Sequence, residues 1–198
     1  VKQTTDGGYF IGSQFQKMPE IAWAAGIIKT NQNGKVIWAK KYDSGENRSI
    51  FVSCGEQTPD GGYVLAGQYE LSQKVPGFLM KTDSDGNLLW LKTYIDTGYL
   101  VSLFHAMEVT MDGGFILAGQ SDATGTRSGS AYLVKTDSLG DLKWARHYVF
   151  SSTLSGFNIN DVKQTPDGGY VITGGNTLIK TDSLGNLLWD RTGTGFGG

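Results

Sequence analysis

The stretch KTDSDGNLLW, residues 81–90, decides the fold because it occurs four times in the 198-residue chain. The other copies are KTNQNGKVIW (29–38), KTDSLGDLKW (135–144) and KTDSLGNLLW (180–189). Before each copy lies Asp-Gly-Gly followed by an aromatic residue, and the spacings between these tripeptides are 54, 52 and 55 residues. Two motifs that recur in phase predict one structural unit repeated four times, over approximately 1–42, 50–94, 103–148 and 158–191.

The acidic centre of this stretch resembles a calcium loop. Asp83 and Asp85 are separated by one residue and precede Gly86. In two other copies, however, Leu139 and Leu184 occupy the position of Asp85. Calcium needs six to eight oxygen ligands. All four copies share only an initial Asn or Asp and a fourth-position Gly, which is the pattern of a hairpin turn. The sequence therefore predicts a turn, with neither calcium at Asp83 and Asp85 nor any other cofactor.

Each repeat contains four segments that are either continuously apolar or alternate between apolar and polar residues. We designate them strands A to D in chain order. Strand A runs into the Asp-Gly-Gly turn, strand B is YVLAG in the second repeat, strand C is GFLMKT, and strand D carries the tryptophan. Strands B and C are apolar on consecutive residues, which indicates burial of both faces. The predicted fold class is all-β, a single β-propeller domain of four four-stranded antiparallel blades. A solenoid and a two-sheet sandwich fit four near-identical units less well.

Composition excludes several functional classes. The net charge of −2 gives no general attraction to nucleic acid, and no apolar run approaches the ~18 residues that span a bilayer. Cys54 is alone, so no intrachain disulfide is expected, and two histidines, His105 and His147, leave little for zinc chemistry.

The combination QTPDGGYVLAGQ (57–68) and FLMKTDSDGNLLWLKTY (78–94) resembles the β-propeller repeats found in tandem in secreted and cell-surface proteins of bacteria and archaea. The resemblance covers essentially the whole chain and implies an extracellular or cell-surface location. Asn47-Arg48-Ser49 is a glycosylation sequon, a short and common pattern. Two arrangements stay open: a closed four-bladed ring, or an open fragment whose self-association would complete a larger ring.

The connections between strands differ in how uniform they are. The A–B and C–D turns are nearly the same in every repeat, whereas the B–C segments (13–24, 68–76, 120–130, 175–176) and D–A segments (43–49, 95–103, 149–159) differ widely. Variable loops on a rigid scaffold carry binding function. The candidate ligand-binding residues are the aromatic, basic and imidazole side chains Trp23, Arg48, Tyr69, Tyr99, His105, Arg127 and Phe157.

Residues present once in every repeat are predicted to be structural. The tryptophans Trp38, Trp90, Trp144 and Trp189 are expected to fill the gaps between blades, and Lys29, Lys81, Lys135 and Lys180 to lie beside the turns. Strand A places Lys2, Glu56, Glu108 and Lys163 at equivalent positions, where they form a charged ring or, as we expect, local pairs. Ser53, His105 and Asn160 are also equivalent and are expected to rim a channel.

No motif of nucleophilic, metal-dependent or phosphate chemistry appears in the chain. The sequence therefore predicts a non-catalytic extracellular module that binds a glycan or a protein, with no catalytic residue. The alternative is a propeller enzyme, either carbohydrate-active or quinone-dependent.

Overall fold

A computed structural model describes residues 1–18, 22–43, 48–71, 73–123, 130–148 and 159–193. These residues form β-strands, turns and bends, and none of them belongs to a helix of the length and apolarity needed to cross a bilayer. Contacts divide the chain into two compact units, Val1–Ile95 and Asp96–Gly198. Each unit contains two sheets and is described separately below.

The first unit holds two four-stranded antiparallel sheets whose strands pair in chain order. Blade 1 consists of β1 (Lys2–Gln3), β2 (Tyr9–Lys17), β3 (Ala22–Thr30) and β4 (Val36–Tyr42). Blade 2 consists of β5 (Ile50–Gln57), β6 (Tyr63–Tyr69), β7 (Gly77–Thr82) and β8 (Leu88–Tyr94).

The second unit repeats this arrangement with two further antiparallel sheets. Blade 3 consists of β9 (Tyr99–Val109), β10 (Phe115–Ala123), β11 (Ser130–Thr136) and β12 (Leu142–Tyr148). Blade 4 consists of β13 (Ile159–Gln164), β14 (Tyr170–Gly174), β15 (Thr177–Thr181) and β16 (Leu187–Thr192).

The two middle strands of a blade carry the core, as their apolar runs predict. Every residue of β7 and β11 is buried, and so are the first five residues of β6. Strand β14 is different, because its burial alternates between buried and half-buried residues. In the last strands β8 and β12 exposed and half-buried residues predominate, and β16 is exposed along its whole length.

The turn between the third and fourth strands has the predicted conformation. Asp83 Oδ1 accepts hydrogen bonds from the backbone N–H of Asp85 at 3.0 Å and of Asn87 at 2.7 Å. Gly86 follows with φ of 75°, a left-handed conformation that glycine adopts without strain. The strand register shifts between Lys81 and Thr82, which is the bulge that this turn closes. The turn prediction is therefore confirmed.

The repeated lysine of each blade reaches back to the Asp-Gly-Gly turn. Lys81 is only 5% exposed, and its Nζ donates to Asp60 Oδ1 at 3.0 Å, Asp60 Oδ2 at 2.9 Å and the Thr82 carbonyl at 3.0 Å. Asp60 also accepts from the hydroxyl of Thr58 and the N–H of Gly62. The same lysine–aspartate pair forms in the other blades, as Lys29–Asp6, Lys135–Asp112 and Lys180–Asp167. This clamp ties the third strand to the turn that precedes the second.

Within the first unit, the tryptophan of blade 1 lies against blade 2. The rings of Trp38 and Tyr63 meet edge to face with centroids 5.7 Å apart, and the Trp38 ring lies 2.8 Å from the position that a Cβ would take on Gly86. The hydroxyl of Tyr42 donates to the Gly86 carbonyl at 2.7 Å. We call this set of contacts the tryptophan joint.

The second unit contains an equivalent joint between blades 3 and 4. The Trp144 and Tyr170 centroids are 5.8 Å apart, and Trp144 lies 2.8 Å from the Cβ position of Gly185. The hydroxyl of Tyr148 donates to the Gly185 carbonyl at 2.6 Å. Two copies with nearly the same distances show that the joint follows from the repeated sequence.

The charged residues of the first strands form local pairs within each unit, as expected. Lys2 Nζ lies 3.2 Å from Glu56 Oε1 in the first unit, and Lys163 Nζ lies 3.3 Å from Glu108 Oε1 in the second. Each pair links the first strands of two adjacent blades, so it supports the same interface as the tryptophan joint.

Candidate functional site

The predicted ligand-binding residues do not all lie in loops, which corrects the sequence analysis. The segment 13–24 was expected to be a connection, but Gln16 pairs with Trp23 and Lys17 with Ala22, so β2 and β3 continue through it. Trp23 is therefore a strand residue, half-buried, with its ring 6.5 Å from that of Phe51. The physical reason is that backbone pairing extends a hairpin whatever the side chains, provided neither strand contains proline.

The other predicted residues that the structure describes lie within strands or just before one. Tyr69 ends β6 and packs against the apolar core of the first unit, and Arg48 lies half-buried before β5. Tyr99 begins β9, and His105 lies within the same strand. Arg127, Phe157 and the sequon residue Asn47 lie outside the described residues.

The second unit brings four rings together at the end of blade 3 where the variable segments attach. The imidazole of His147 stacks on Tyr99 with centroids 4.3 Å apart and an interplanar angle of 5°. On its other side it stacks on Tyr132 at 4.5 Å and 19°. Tyr132 in turn stacks on Phe104 at 6.0 Å. The imidazole is thus held between two tyrosine rings that fix its plane.

Hydrogen bonds fix the edge of the same imidazole. His147 Nε2 lies 2.6 Å from Asp96 Oδ2, and Nδ1 lies 2.8 Å from the Ser121 hydroxyl, which lies 2.9 Å from that of Ser130. A carboxylate oxygen can only accept, so Nε2 of His147 donates to Asp96, and the Ser121 hydroxyl lies at the other ring nitrogen. We call Asp96, Tyr99, Ser121, Tyr132 and His147 the histidine cluster.

The side chains of the histidine cluster differ in their exposure to solvent. Ser121 is 1% exposed, whereas the side chain of His147 is 18% exposed and that of Asp96 is 39% exposed. Asp96 and the edge of His147 are therefore the parts that an incoming ligand can reach. Tyr99, which is half-buried, adds an aromatic surface beside them.

Two buried polar atoms of blade 3 have no hydrogen-bond partner among the described residues. One is the hydroxyl of Ser102, which is 0% exposed and directly opposite Ser121 across the β9–β10 pairing. The other is Oδ1 of Asp122, the residue after Ser121. Buried polar atoms without partners are costly, and they concentrate where water or a ligand completes a structure.

The Ser121–His147–Asp96 order resembles the connectivity of a nucleophilic triad. In such a triad the hydroxyl must reach the substrate. The Ser121 side chain is almost fully buried and shares its hydrogen bonds with Ser130, so it positions the imidazole instead. The geometry favours a rigid, pre-oriented Asp–His pair, which can exchange hydrogen bonds with a ligand.

His105 occupies a second structural feature, a bulge in the first strand of its blade. The register of blade 3 passes from Ala106 to Phe104, which leaves His105 unpaired, and Ser53 and Asn160 are skipped in the same way in blades 2 and 4. The Nε2 atom of His105 is buried and lacks a described partner, and burial lowers the pKa of its imidazole. Whether these bulged residues rim a channel stays a prediction.

The described residues contain no group of three or more His, Cys, Asp or Glu side chains that is arranged to hold a metal ion. The aspartates of the Asp-Gly-Gly turns form ion pairs with the repeated lysines. Hydrogen bonds from Thr165 and Lys180 lower the pKa of Asp167 to about 2, so this carboxylate is ionised throughout the neutral range.

Sequence reasoning named Tyr99 but missed His147, Ser121 and Tyr132. A usable signal was present, because His147 stands three residues after a repeated tryptophan, where the other repeats have Lys41, Thr93 and Thr192. A chemically distinctive residue at one copy of a repeated position marks a place where a site has been added to a scaffold.

Comparison with known proteins supports the fold and leaves function open. No protein-family profile and no curated protein matches the sequence. A solved structure of a protein of unknown function from Bacteroides caccae is similar, with a TM-score of 0.59 and 12% identity over 95% of this chain. A streptogramin B lyase structure is similar with a TM-score of 0.49 and 12% identity over 92% of this chain. The chain spans 59% of the length of each.

The four four-stranded antiparallel sheets and the similarity to the Bacteroides caccae structure confirm the predicted fold class, an all-β β-propeller. At such low identity the similarity extends to the fold alone.

Proposed function

We propose that the protein is a non-catalytic binding module of the cell surface and that it recognises a glycan through the histidine cluster. The observation that carries the proposal is the imidazole of His147, stacked between Tyr99 and Tyr132 and bonded to Asp96. It lies at the end of blade 3 where the variable segments attach, and its residues come from positions at which the repeats differ.

The chemistry of the cluster suits a sugar. A partly exposed carboxylate accepts hydrogen bonds from hydroxyl groups, and an adjacent aromatic ring packs against the apolar face of a pyranose. Asp96 and Tyr99 supply these two features side by side, and His147 joins them through a 2.6 Å hydrogen bond and a stacked ring. Stacking and hydrogen bonding hold the site in one geometry before the ligand arrives, which lowers the entropic cost of binding.

The enzyme alternative has one observation in its favour, the Ser121–His147–Asp96 connectivity. Burial of Ser121 argues against it, since a nucleophile needs access to its substrate. Binding without turnover is therefore the function that the geometry supports better.

The experiment is a glycan array followed by titration calorimetry of each positive ligand. We expect Tyr99→Ala and Asp96→Asn to weaken binding by about tenfold each, the range of a central contact residue. Leu139→Ala is the matched control, because Leu139 is 63% exposed in the turn at the other end of blade 3. It should leave affinity unchanged.

Three outcomes would contradict the proposal. They are the absence of any bound glycan, binding that Tyr99→Ala and Asp96→Asn leave intact, and release of a product from the bound glycan. The third would favour the enzyme alternative. Capture of a protein ligand that depends on Tyr99 and Asp96 would keep the site and replace the glycan.

A further inference from the structure

The carboxylate of Asp96 uses one of its two oxygens within the histidine cluster. Its Oδ2 lies 2.6 Å from Nε2 of His147, and its backbone carbonyl accepts from the N–H of Tyr99 at 3.2 Å. No described residue donates a hydrogen bond to the other carboxylate oxygen, Oδ1. Because the side chain is 39% exposed, Oδ1 can accept from a donor that arrives from solvent.

The charge of Asp96 also has no lysine or arginine partner among the described residues. His147 is the group that faces it, and an imidazole is a cation only when it is protonated. Arg146 is next to His147 in sequence, but successive side chains of a strand point to opposite faces. Its guanidinium lies 5.8 Å from the centroid of the Trp144 ring, so it does not neutralise Asp96.

Two other carboxylates of the second unit show what Asp96 lacks. Lys135 Nζ lies 2.9 Å from Asp112 Oδ2, and Lys180 Nζ lies 3.0 Å from Asp167 Oδ2. In these clamps the fold itself supplies an ammonium group to each carboxylate. At Asp96 the same kind of acceptor is oriented by the imidazole, and the part of the chain that the structure describes supplies no ammonium group.

An aromatic surface lies on the same imidazole as this carboxylate. The ring of Tyr99 stacks on His147 at 4.3 Å, while Asp96 bonds to the edge of that imidazole. Tyr99 is half-buried, so part of its surface can be reached from solvent. The face of an aromatic ring attracts a cation, and the chain uses this attraction elsewhere, with Lys40 Nζ 5.9 Å from the centroid of Trp38.

We propose that the histidine cluster binds a glycan that carries a free amino group, and that the ammonium of this group binds Asp96 Oδ1 beside the ring of Tyr99. The inference rests on the proposed function and narrows the class of glycan. A protonated amino group forms a charge-assisted hydrogen bond with the carboxylate and is attracted by the ring. An N-acetylated sugar offers no charge at this position, and a sugar that carries a carboxylate is repelled by Asp96.

The test uses matched pairs of glycans, in which one sugar carries either an amino group or the same group N-acetylated. Each pair is printed on an array, and the best pair is measured by titration calorimetry at a pH at which the free amine is charged. We expect the amino form to bind at least about tenfold more tightly, because a hydrogen bond to a charged group contributes more than one to a neutral group.

Two further measurements assign this preference to Asp96. Asp96→Asn keeps the shape and removes the charge, so the ratio of the two affinities should fall to about one. Asp85→Asn is the matched control, because it removes the same charge from an exposed residue of the first unit and should leave the ratio unchanged. For the unaltered chain, raising the salt from about 50 to about 500 mM should reduce the ratio several-fold by screening.

The possible failures separate the inference from the proposed function. Equal affinity for the two forms, tighter binding of the N-acetylated form, or a preference that both Asp96→Asn and high salt leave intact would overturn the inference while glycan binding itself stands. The absence of any bound glycan would contradict the proposed function and, with it, this inference.

Discussion

Replacement of Asp60 by Asn should destabilise the protein by removing the charge that compensates a buried lysine. The ammonium group of Lys81 belongs to a side chain that is only 7% exposed, and it is bonded to both carboxylate oxygens of Asp60 at 3.0 and 2.9 Å. Asparagine keeps the size and one acceptor oxygen, so it can still accept from Gly62 and Thr58. The loss is confined to the ionic part of the clamp.

The expected cost lies between two limits. Breaking a fully buried pair costs about 3–5 kcal/mol, and losing one hydrogen bond to a charged group costs about 1.5–3 kcal/mol. The Asp60 side chain is 63% exposed, so water can approach the lysine where the carboxylate is removed. We therefore expect Asp60→Asn to lower the free energy of unfolding by about 1–3 kcal/mol.

Urea unfolding followed by tryptophan fluorescence measures this free energy. Asp85→Asn is the control, because Asp85 is an exposed carboxylate in the other turn of blade 2 and should change stability by less than about 0.5 kcal/mol. A stability of Asp60→Asn equal to that of Asp85→Asn, with unchanged m-values, would show that the clamp contributes little and would refute the reasoning.

Three further predictions concern stability at low pH, the substitution of a tightly packed glycine and the tryptophan joint. Hydrogen bonds from Thr110 and Lys135 outweigh the effect of burial and lower the pKa of Asp112 from 3.8 to about 2. The ionised Asp112 therefore stabilises the folded state fully above pH 3.8, and this contribution is lost as the pH falls toward 2. A melting temperature that stays constant between pH 3.8 and 2 would contradict this prediction. Gly119→Ala places a Cβ 1.6 Å from the Leu103 carbonyl, so circular dichroism should show loss of the native fold, whereas a soluble, fully folded variant would show that the bulge can relax. Tyr148→Phe leaves the Gly185 carbonyl without its 2.6 Å donor and should cost about 1–2 kcal/mol in urea unfolding; no change would mean that water replaces the hydroxyl.

The sequence predicted the turns and the four-strand units because these depend on local rules. An Asx residue before a glycine determines the turn at 83–86, and consecutive apolar residues indicate the buried middle strands. Strand lengths at the variable ends were not predictable, since pairing such as Gln16 with Trp23 depends on the backbone and not on a side-chain pattern.

The histidine cluster was not predictable for a different reason. His147 is 26 residues from Ser121 and 51 from Asp96, and their meeting depends on the positions of β10, β12 and the segment before β9. These side chains converge only in the folded chain, although the unusual residue at the repeated position pointed to His147 itself.

A hydrogen bond from a backbone N–H to a glutamine side chain distinguishes odd from even blades and has a consequence for how the chain unfolds locally. The N–H groups of Thr5 and Met111 donate across to the amide oxygens of Gln57 and Gln164, whereas Pro59 and Pro166 stand at the equivalent positions of blades 2 and 4 and have no N–H. The blade pair, and not the single blade, is thus the smallest piece in which every such donor has its acceptor. Amide protons of the two sheets within a pair should therefore become accessible to solvent together, in one cooperative event per pair.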